Sequence, residues 1–182
     1  MPKKKTKRRC AAPRKVLHAP WRIEYILGPK DEGCFFCEAT KLPLRDQTAW
    51  RRTLLLYRDP QVVVIINRYP YVGGHLLVAP RRHTADLPGL KPAESRSLWE
   101  LSRACQQFLG EAFKPQGFNL GMNLGRAAGA GVEDHLHMHV MPRWIGDVNF
   151  MPVVADTHSL PVALEAVWDA LRPRFKKYRQ ER

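Results

Sequence analysis

His135-Leu136-His137-Met138-His139-Val140-Met141-Pro142-Arg143-Trp144 sets three histidines in alternation with apolar residues. Period two is the pattern of a β-strand with one buried face. On such a strand Leu136, Met138 and Val140 turn to a core, and His135, His137 and His139 share the other face. Residues two apart on a strand stand roughly 6.5–7 Å from each other. One phosphate-sized group cannot touch all three rings equally, so the three imidazoles are expected to have different tasks. A His-rich solvent face or an expression tag would supply histidines without chemistry. A tag, however, sits at a terminus and lacks the alternating apolar residues, and clustered imidazoles otherwise mark metal or acid/base sites.

Outward from this stretch the apolar periodicity gives the remaining elements. Residues 53–57 and 62–66 are apolar runs around Arg58-Asp59-Pro60-Gln61, which reads as a hairpin with a four-residue turn. Residues 75–79 form a third strand, ended by Pro80. Pro92 opens a helix whose stripe of Leu98, Leu101, Cys105, Phe108, Leu109 and Ala112 keeps 3–4 spacing to about Phe113. Residues 118–124 and 135–141 complete the sheet. Ser159-Leu160-Pro161 reads as a cap and helix start, with a stripe of Leu164, Val167, Trp168, Leu171 and Phe175. Pro173 is expected to kink or end that helix. Antiparallel strands with two main helices and no internal repeat make an α+β domain.

The 182 residues suit one domain with extensions. No apolar run approaches the roughly 18 residues of a membrane span, and no apolar signal segment follows the basic start. The formal charge of +13 is unevenly placed: residues 1–15 carry +8, residues 172–182 carry +5, and residues 16–171 balance to zero. The body is therefore not a basic nucleic-acid-binding domain. The division expected is a basic disordered tail over 1–17, a domain with its lead-in over 18–175, and a basic tail over 176–182. The tails can attract RNA, polyphosphate or acidic surfaces weakly, or simply be solvated ends.

Gly33-Cys34-Phe35-Phe36-Cys37 has the spacing of a metal knuckle, and four cysteines with one such pair suit a reducing, cytoplasmic setting. Two thiolates need two further ligands for tetrahedral zinc. Cys10 and Cys105 have no paired spacing. Two buried cysteines without metal, or a redox pair ahead of a helix in a βαβ unit, are the alternatives; no βαβ pattern is visible. Gly125-Arg126-Ala127-Ala128-Gly129-Ala130-Gly131 could bring backbone N–H groups up to an anion, or be a glycine-rich hairpin connection.

The triad resembles that of the histidine triad (HIT) superfamily of nucleotide hydrolases and nucleotidyl transferases. Two further stretches carry the resemblance: Asn67-Arg68-Tyr69-Pro70-Tyr71-Val72-Gly73-Gly74-His75-Leu76-Leu77-Val78-Ala79-Pro80-Arg81-Arg82-His83 upstream, and Gly117-Phe118-Asn119-Leu120-Gly121-Met122-Asn123 before the triad. The likeness spans about Cys34 to Phe150 in the family's order. The lead-in His18-Ala19-Pro20-Trp21-Arg22-Ile23-Glu24-Tyr25-Ile26 and the stretch Pro142-Arg143-Trp144-Ile145-Gly146-Asp147-Val148-Asn149-Phe150 resemble the bacterial branch of diadenosine tetraphosphate phosphorylases and ATP adenylyltransferase-like proteins.

That resemblance implies an antiparallel HIT-like sheet of about five strands, a homodimer, and zinc held by Cys34, Cys37, His83 and His135. It implies His137 as the nucleophile on an α-phosphorus, forming a nucleotidyl-histidine. His139 and His75 would donate to phosphate oxygens. Asn67 would lie near the ribose, Asn123 would contact phosphate, and the loop amides around Gly129, Gly131 and Val132 would form a cradle. A divalent cation such as magnesium could accompany the nucleotide. The chain departs from the small hydrolases in having Gly131 and Val132 where those often carry Gln-Ser or Gln-Thr, and its loop looks one residue longer. His139, in place of Gln, argues against the hexose-1-phosphate uridylyltransferase branch. The expected activity is nucleotidyl transfer from a dinucleoside polyphosphate to orthophosphate. The alternatives are hydrolysis of dinucleoside polyphosphates or nucleoside phosphoramidates, and a non-catalytic nucleotide- or RNA-binding module.

Overall fold

The run Val62-Val63-Val64-Ile65-Ile66 is apolar at every position, which requires burial on both faces. In the computed structural model all five residues are buried and form strand β2, Val62–Ile66. Residues 33–129, 131–147 and 163–181 are described below. The sheet is antiparallel in the order β1-β2-β3-β5-β4, with β1 at Leu55–Arg58, β3 at Leu76–Pro80, β4 at Gly117–Met122 and β5 at Met138–Arg143. Strand β3 is also buried throughout, whereas β4, on the edge, is half-buried at its ends and exposed over Asn119, Leu120 and Gly121. The α+β architecture with five antiparallel strands is thus the one expected from the sequence.

Two short helices, α1 (Phe35–Lys41) and α2 (Gln47–Arg52), precede the sheet. The expected hairpin forms, but Arg58 pairs with Val63 and so belongs to the strand. Asp59 turns the chain by accepting the N–H groups of Gln61 and Val62 at 2.7 and 2.8 Å. This is an Asx turn, in which a carboxylate takes the place of a backbone acceptor.

Helix α3, Pro92–Phe113, begins at the proline, where a missing N–H costs nothing. Glu94 accepts the N–H of Lys91 at 2.9 Å, closing one half of a capping box. Leu98, Leu101, Cys105, Phe108 and Leu109 are buried as the spacing requires, and the helix packs on β2, β3 and β5. Lys114 ends it in the left-handed conformation at φ 50°.

Helix α4 runs Leu164–Gln180 and carries Pro173 inside it. Of the two expectations for Pro173, a kink or an end, the end is overturned: the helix continues past it to Gln180. A mid-helix proline costs about 3 kcal/mol, but Phe175 beyond it is fully buried, against Phe108 and Tyr57. Tyr178, one turn further, packs on the same two rings. Burying one large apolar side chain contributes about 1.5–3 kcal/mol, so two such anchors outweigh the defect. Residues 176–180, read from sequence as tail, are the last turns of this helix. Arg172 is likewise structural: it donates to Gln47 Oε1 at 2.9 Å and the Leu56 carbonyl at 3.0 Å, over the Trp50 ring. The tail 1–17, the lead-in and the cap at 159–161 lie outside the described residues.

Candidate functional site

The strand bearing the triad begins later than the period-two pattern suggests. Among the three histidines only His139 is in the ladder, opposite Leu77 and Gly121. His135 and His137 precede it because their neighbours bond elsewhere: the Leu136 N–H donates to the Thr84 carbonyl at 2.7 Å. The histidine face is not open either. His135, His137 and His139 are all buried, as are Leu136, Met138 and Val140. Phe36 of α1 supplies the cover, its ring 4.9 Å from that of His135 and 5.3 Å from that of His137.

Two groups of imidazoles result. In the first, Cys34 at the N-cap of α1 and Cys37 in its first turn present their sulfurs to His83, after β3, and His135. Cys34 Sγ lies 3.0 Å from His135 Nδ1, Cys37 Sγ 3.4 Å from His83 Nδ1, and the two Nδ1 atoms are 3.2 Å apart. All four donor atoms fall within 4.8 Å of one another. Tetrahedral zinc with ordinary bond lengths needs donor separations of about 3.3–3.8 Å. The protonation also fits. His135 Nε2 is 2.7 Å from the Pro80 carbonyl oxygen, which can only accept. That nitrogen therefore carries the proton and Nδ1 offers its lone pair to the cluster. Burial, then the neighbouring Cys34, pushes the Cys37 thiol up to about 11; a divalent cation there would reverse that preference. The four residues thus form a set that could hold a metal ion.

In the second group the hydrogen-bond partners fix a proton on each ring in turn. His137 Nδ1 is 2.8 Å from the His135 carbonyl oxygen, so Nδ1 is the donor and Nε2 keeps a lone pair. Burial lowers the pKa of His137, partly opposed by that same hydrogen bond, which favours the neutral ring at pH 7. At His75 the backbone N–H of Tyr71 donates to Nδ1 at 3.3 Å, and Asn67 Nδ2 approaches the same atom at 3.2 Å. His75 Nε2 then carries the proton and donates to His139 Nδ1 at 2.9 Å. By the same accounting the proton of His139 is on Nε2. The His137 and His139 rings stand edge to face, 4.9 Å apart. One bare nitrogen and one N–H donor in adjacent buried rings can respectively attack an electrophile and stabilise charge developing on it.

The structure therefore brings together Cys34, Cys37, His83 and His135 in one group, and His137, His139, His75 and Asn67 in the other. Asn123 follows β4 one residue beyond the Met122–Met138 pair, the same step that leads from Met138 back to His137. Gly129 closes a 3-10 turn, Arg126–Ala128, at φ 79°, and Gly131 and Val132 follow in the loop. Residue 130 lies outside the described residues.

Two participants escaped the reading of the sequence. Tyr71 acts through a backbone N–H and by stacking on His75 at 5.3 Å and 25°, and a main-chain donor leaves no residue-type signal. Phe36 lies between the paired cysteines, where its spacing to Cys34 and Cys37 was the only cue to its place.

The HIT domain family matches residues 51–144 of the chain. An AP-4-A phosphorylase of Mycobacterium tuberculosis (strain ATCC 25618 / H37Rv) is 32% identical over 154 residues, covering 81% of this chain and 77% of that protein. The asymmetrical bis(5'-nucleosyl)-tetraphosphatase of Schizosaccharomyces pombe is 34% identical over 89 residues, 49% of this chain and 48% of that one. Among solved structures, a Zn-bound histidine triad family protein from Mycobacterium smegmatis superposes with a TM-score of 0.61 at 24% identity, over 82% of this chain and 98% of that chain.

Proposed function

The chain belongs to the HIT domain family, and we propose that it is an enzyme transferring a nucleotidyl group from a dinucleoside polyphosphate to orthophosphate. The observation that carries this reading is the bare Nε2 of His137 beside the protonated Nε2 of His139. In the first step the His137 Nε2 lone pair forms a bond to an α-phosphorus. The P–O bond to the remaining phosphate chain breaks, and the electron pair leaves with that chain. His139 and, through it, His75 steady the charge on the phosphoryl oxygens. Asn67 orients His75 and lies where a ribose would approach. Asn123 and the amides of Gly129, Gly131 and Val132 would contact the phosphates. In the second step an orthophosphate oxygen attacks the same phosphorus and returns the lone pair to His137.

The metal group is set apart from this chemistry. Cys34, Cys37, His83 and His135 would hold zinc, tying α1 and its Phe36 cover to the strand. A divalent cation such as magnesium would arrive with the polyphosphate. We read the protein as a cytoplasmic homodimer. In support of the dimer, β4 is an edge strand with Leu120 39% exposed. No helix among the described residues is long and apolar enough to cross a membrane. The basic residues of 1–17 would add weak attraction for RNA or other polyanions.

Product analysis tests the reading. With diadenosine tetraphosphate, phosphorolysis yields ATP and ADP, whereas hydrolysis yields ATP and AMP. ADP that appears only when orthophosphate is supplied supports phosphorolysis. AMP alone under both conditions would assign the chain to hydrolysis, as the tetraphosphatase relative's name suggests. No turnover of any dinucleoside polyphosphate or nucleoside phosphoramidate would leave a binding module.

A further inference from the structure

At the far end of the sheet from His75 there is a second concentration of charge. The β1–β2 turn, the residue after β3 and the last turn of α4 meet there. A cavity of about 290 Å³ is lined by Tyr57, Asp59, Pro60 and Arg179. Arg81 reaches the same turn, its N–H donating to the Gln61 carbonyl at 2.7 Å and its guanidinium to the Asp59 carbonyl at 3.3 Å. Arg58 leaves the turn in the other direction, toward the Thr40 carbonyl.

We infer that this cavity is a binding site for a short oligophosphate anion, held by Arg179 and Arg81 with Arg58 behind them. Arg179 lines the cavity and the Arg81 guanidinium reaches its turn, and among the described residues neither forms an ion pair with a carboxylate. The one acid in the cavity, Asp59, is committed to the turn through Gln61, Val62 and the Tyr57 hydroxyl. The crowding is felt electrostatically: Arg58 is pulled below its ordinary pKa by burial and then by Arg81 and Arg179. Like charges kept this close favour a counter-anion, and guanidinium matches phosphate oxygens in bidentate geometry. The cavity volume suits a few phosphates and excludes a folded macromolecule. His75 and Arg81 are six residues apart along an extended segment, about 20 Å, so one short oligophosphate cannot bridge this site and the imidazoles.

The test uses the full chain titrated with sodium tripolyphosphate by calorimetry, alongside thermal unfolding with and without that anion. We expect saturable binding that Arg179→Glu and Arg81→Glu each weaken at least about tenfold, while Arg45→Glu, an exposed arginine elsewhere, does not. Thermal protection by tripolyphosphate should fall in the same two variants, whose own unfolding without anion shows whether they are folded. Binding should survive His75→Ala and deletion of residues 1–15, and nucleotide turnover should be unchanged in Arg179→Glu. ATP competing at comparable concentration would identify a nucleotide's triphosphate as a source, and failure of ATP to compete would identify free oligophosphate. Equal affinity in all three arginine variants, loss of binding in His75→Ala, or binding only of long polymers such as poly(U) would overturn the inference.

Discussion

His137 Nδ1 sits 2.8 Å from the carbonyl oxygen of His135, two residues back in its own chain. A carbonyl cannot donate, so the bond holds the ring in one tautomer and aims the lone pair of Nε2 away from the backbone. His135 is held in the opposite tautomer by Pro80, with Nδ1 bare. Alternate histidines of one strand pattern thus present different nitrogens: Nδ1 of His135 to the thiols, and Nε2 of His137 to the side on which we propose the substrate binds.

His137→Asn should therefore abolish turnover. Asparagine keeps some hydrogen bonding but has no nucleophilic nitrogen, and loss of an essential nucleophile commonly costs several orders of magnitude in rate. Nucleotide binding should persist, because Asn67 and His75 remain bonded to each other. His139→Asn should lose about 10²–10³ in rate, the usual cost of one stabilising donor. Acid-labile nucleotide trapped on wild-type protein, and missing from the His137 variant, is the expected result. Undiminished turnover in that variant would remove His137 from the mechanism.

Purified protein should carry about one equivalent of zinc per chain. Metal removal by a chelator should lower the unfolding temperature, since binding a structural metal contributes directly to folding free energy. Cys34→Ser should reproduce both effects, while Cys105→Ser, a buried cysteine of the α3 stripe, should retain the metal. Elemental analysis with thermal unfolding checks this; full stability without metal would count against a structural role.

Much of this arrangement was legible because it rests on periodicity. The all-apolar 62–66 run reports burial on both faces and the 3–4 stripe of α3 reports its buried side, while the alternation around Met138 marks β5 but not the cover that Phe36 puts over its histidine face. The two sets of candidate residues were legible from chemistry-bearing side chains at fixed spacings. What escaped was set by the main chain and by tertiary packing. The Tyr71 N–H, the Pro80 and Thr84 carbonyls and the point where the ladder begins depend on which backbone groups meet, and no residue type signals that. Pro173 shows the same limit: local propensity allowed a kink or a stop, and the rings of Tyr57 and Phe108, distant in sequence, hold the far side of the helix in place so that it runs on.

Pro173→Ala should stabilise the fold. Alanine restores an N–H that can reach the Asp169 carbonyl and removes the ring's clash with it, a gain of up to about 3 kcal/mol. The more flexible unfolded chain takes back about 0.4–1 kcal/mol. A net gain of about 1–2 kcal/mol, read as a higher denaturant midpoint at unchanged slope, is expected. A destabilised variant would mean that the backbone geometry the proline imposes is needed to seat Phe175.

Glu94 is only 4% exposed. Its two oxygens accept from Arg82 Nε and from the Arg82 terminal nitrogen, each at 2.9 Å, and one also accepts the Lys91 N–H. The hydrogen bonds from Arg82 are the largest influence on its pKa, burial opposes them, and the Lys91 N–H reinforces them; the outcome is a carboxyl held at about 2, against 4.5 ordinarily. Because the folded value is the lower one, the unfolded chain takes up the proton first as pH falls. The stabilisation is therefore complete above about pH 5 and is lost progressively between about 4.5 and 2. The full shift would correspond to about 3 kcal/mol. The Arg82 side chain is 40% exposed, and solvent screening reduces the expected value to about 1–2 kcal/mol. Other carboxylates and the metal ligands also respond to acid, so the quantity to measure is the difference in unfolding free energy between wild type and Glu94→Gln at each pH. That difference should be constant from neutral pH to about 5 and then shrink steadily toward pH 2.5. A difference that stays constant down to that pH would show that the pair contributes through packing and not through charge.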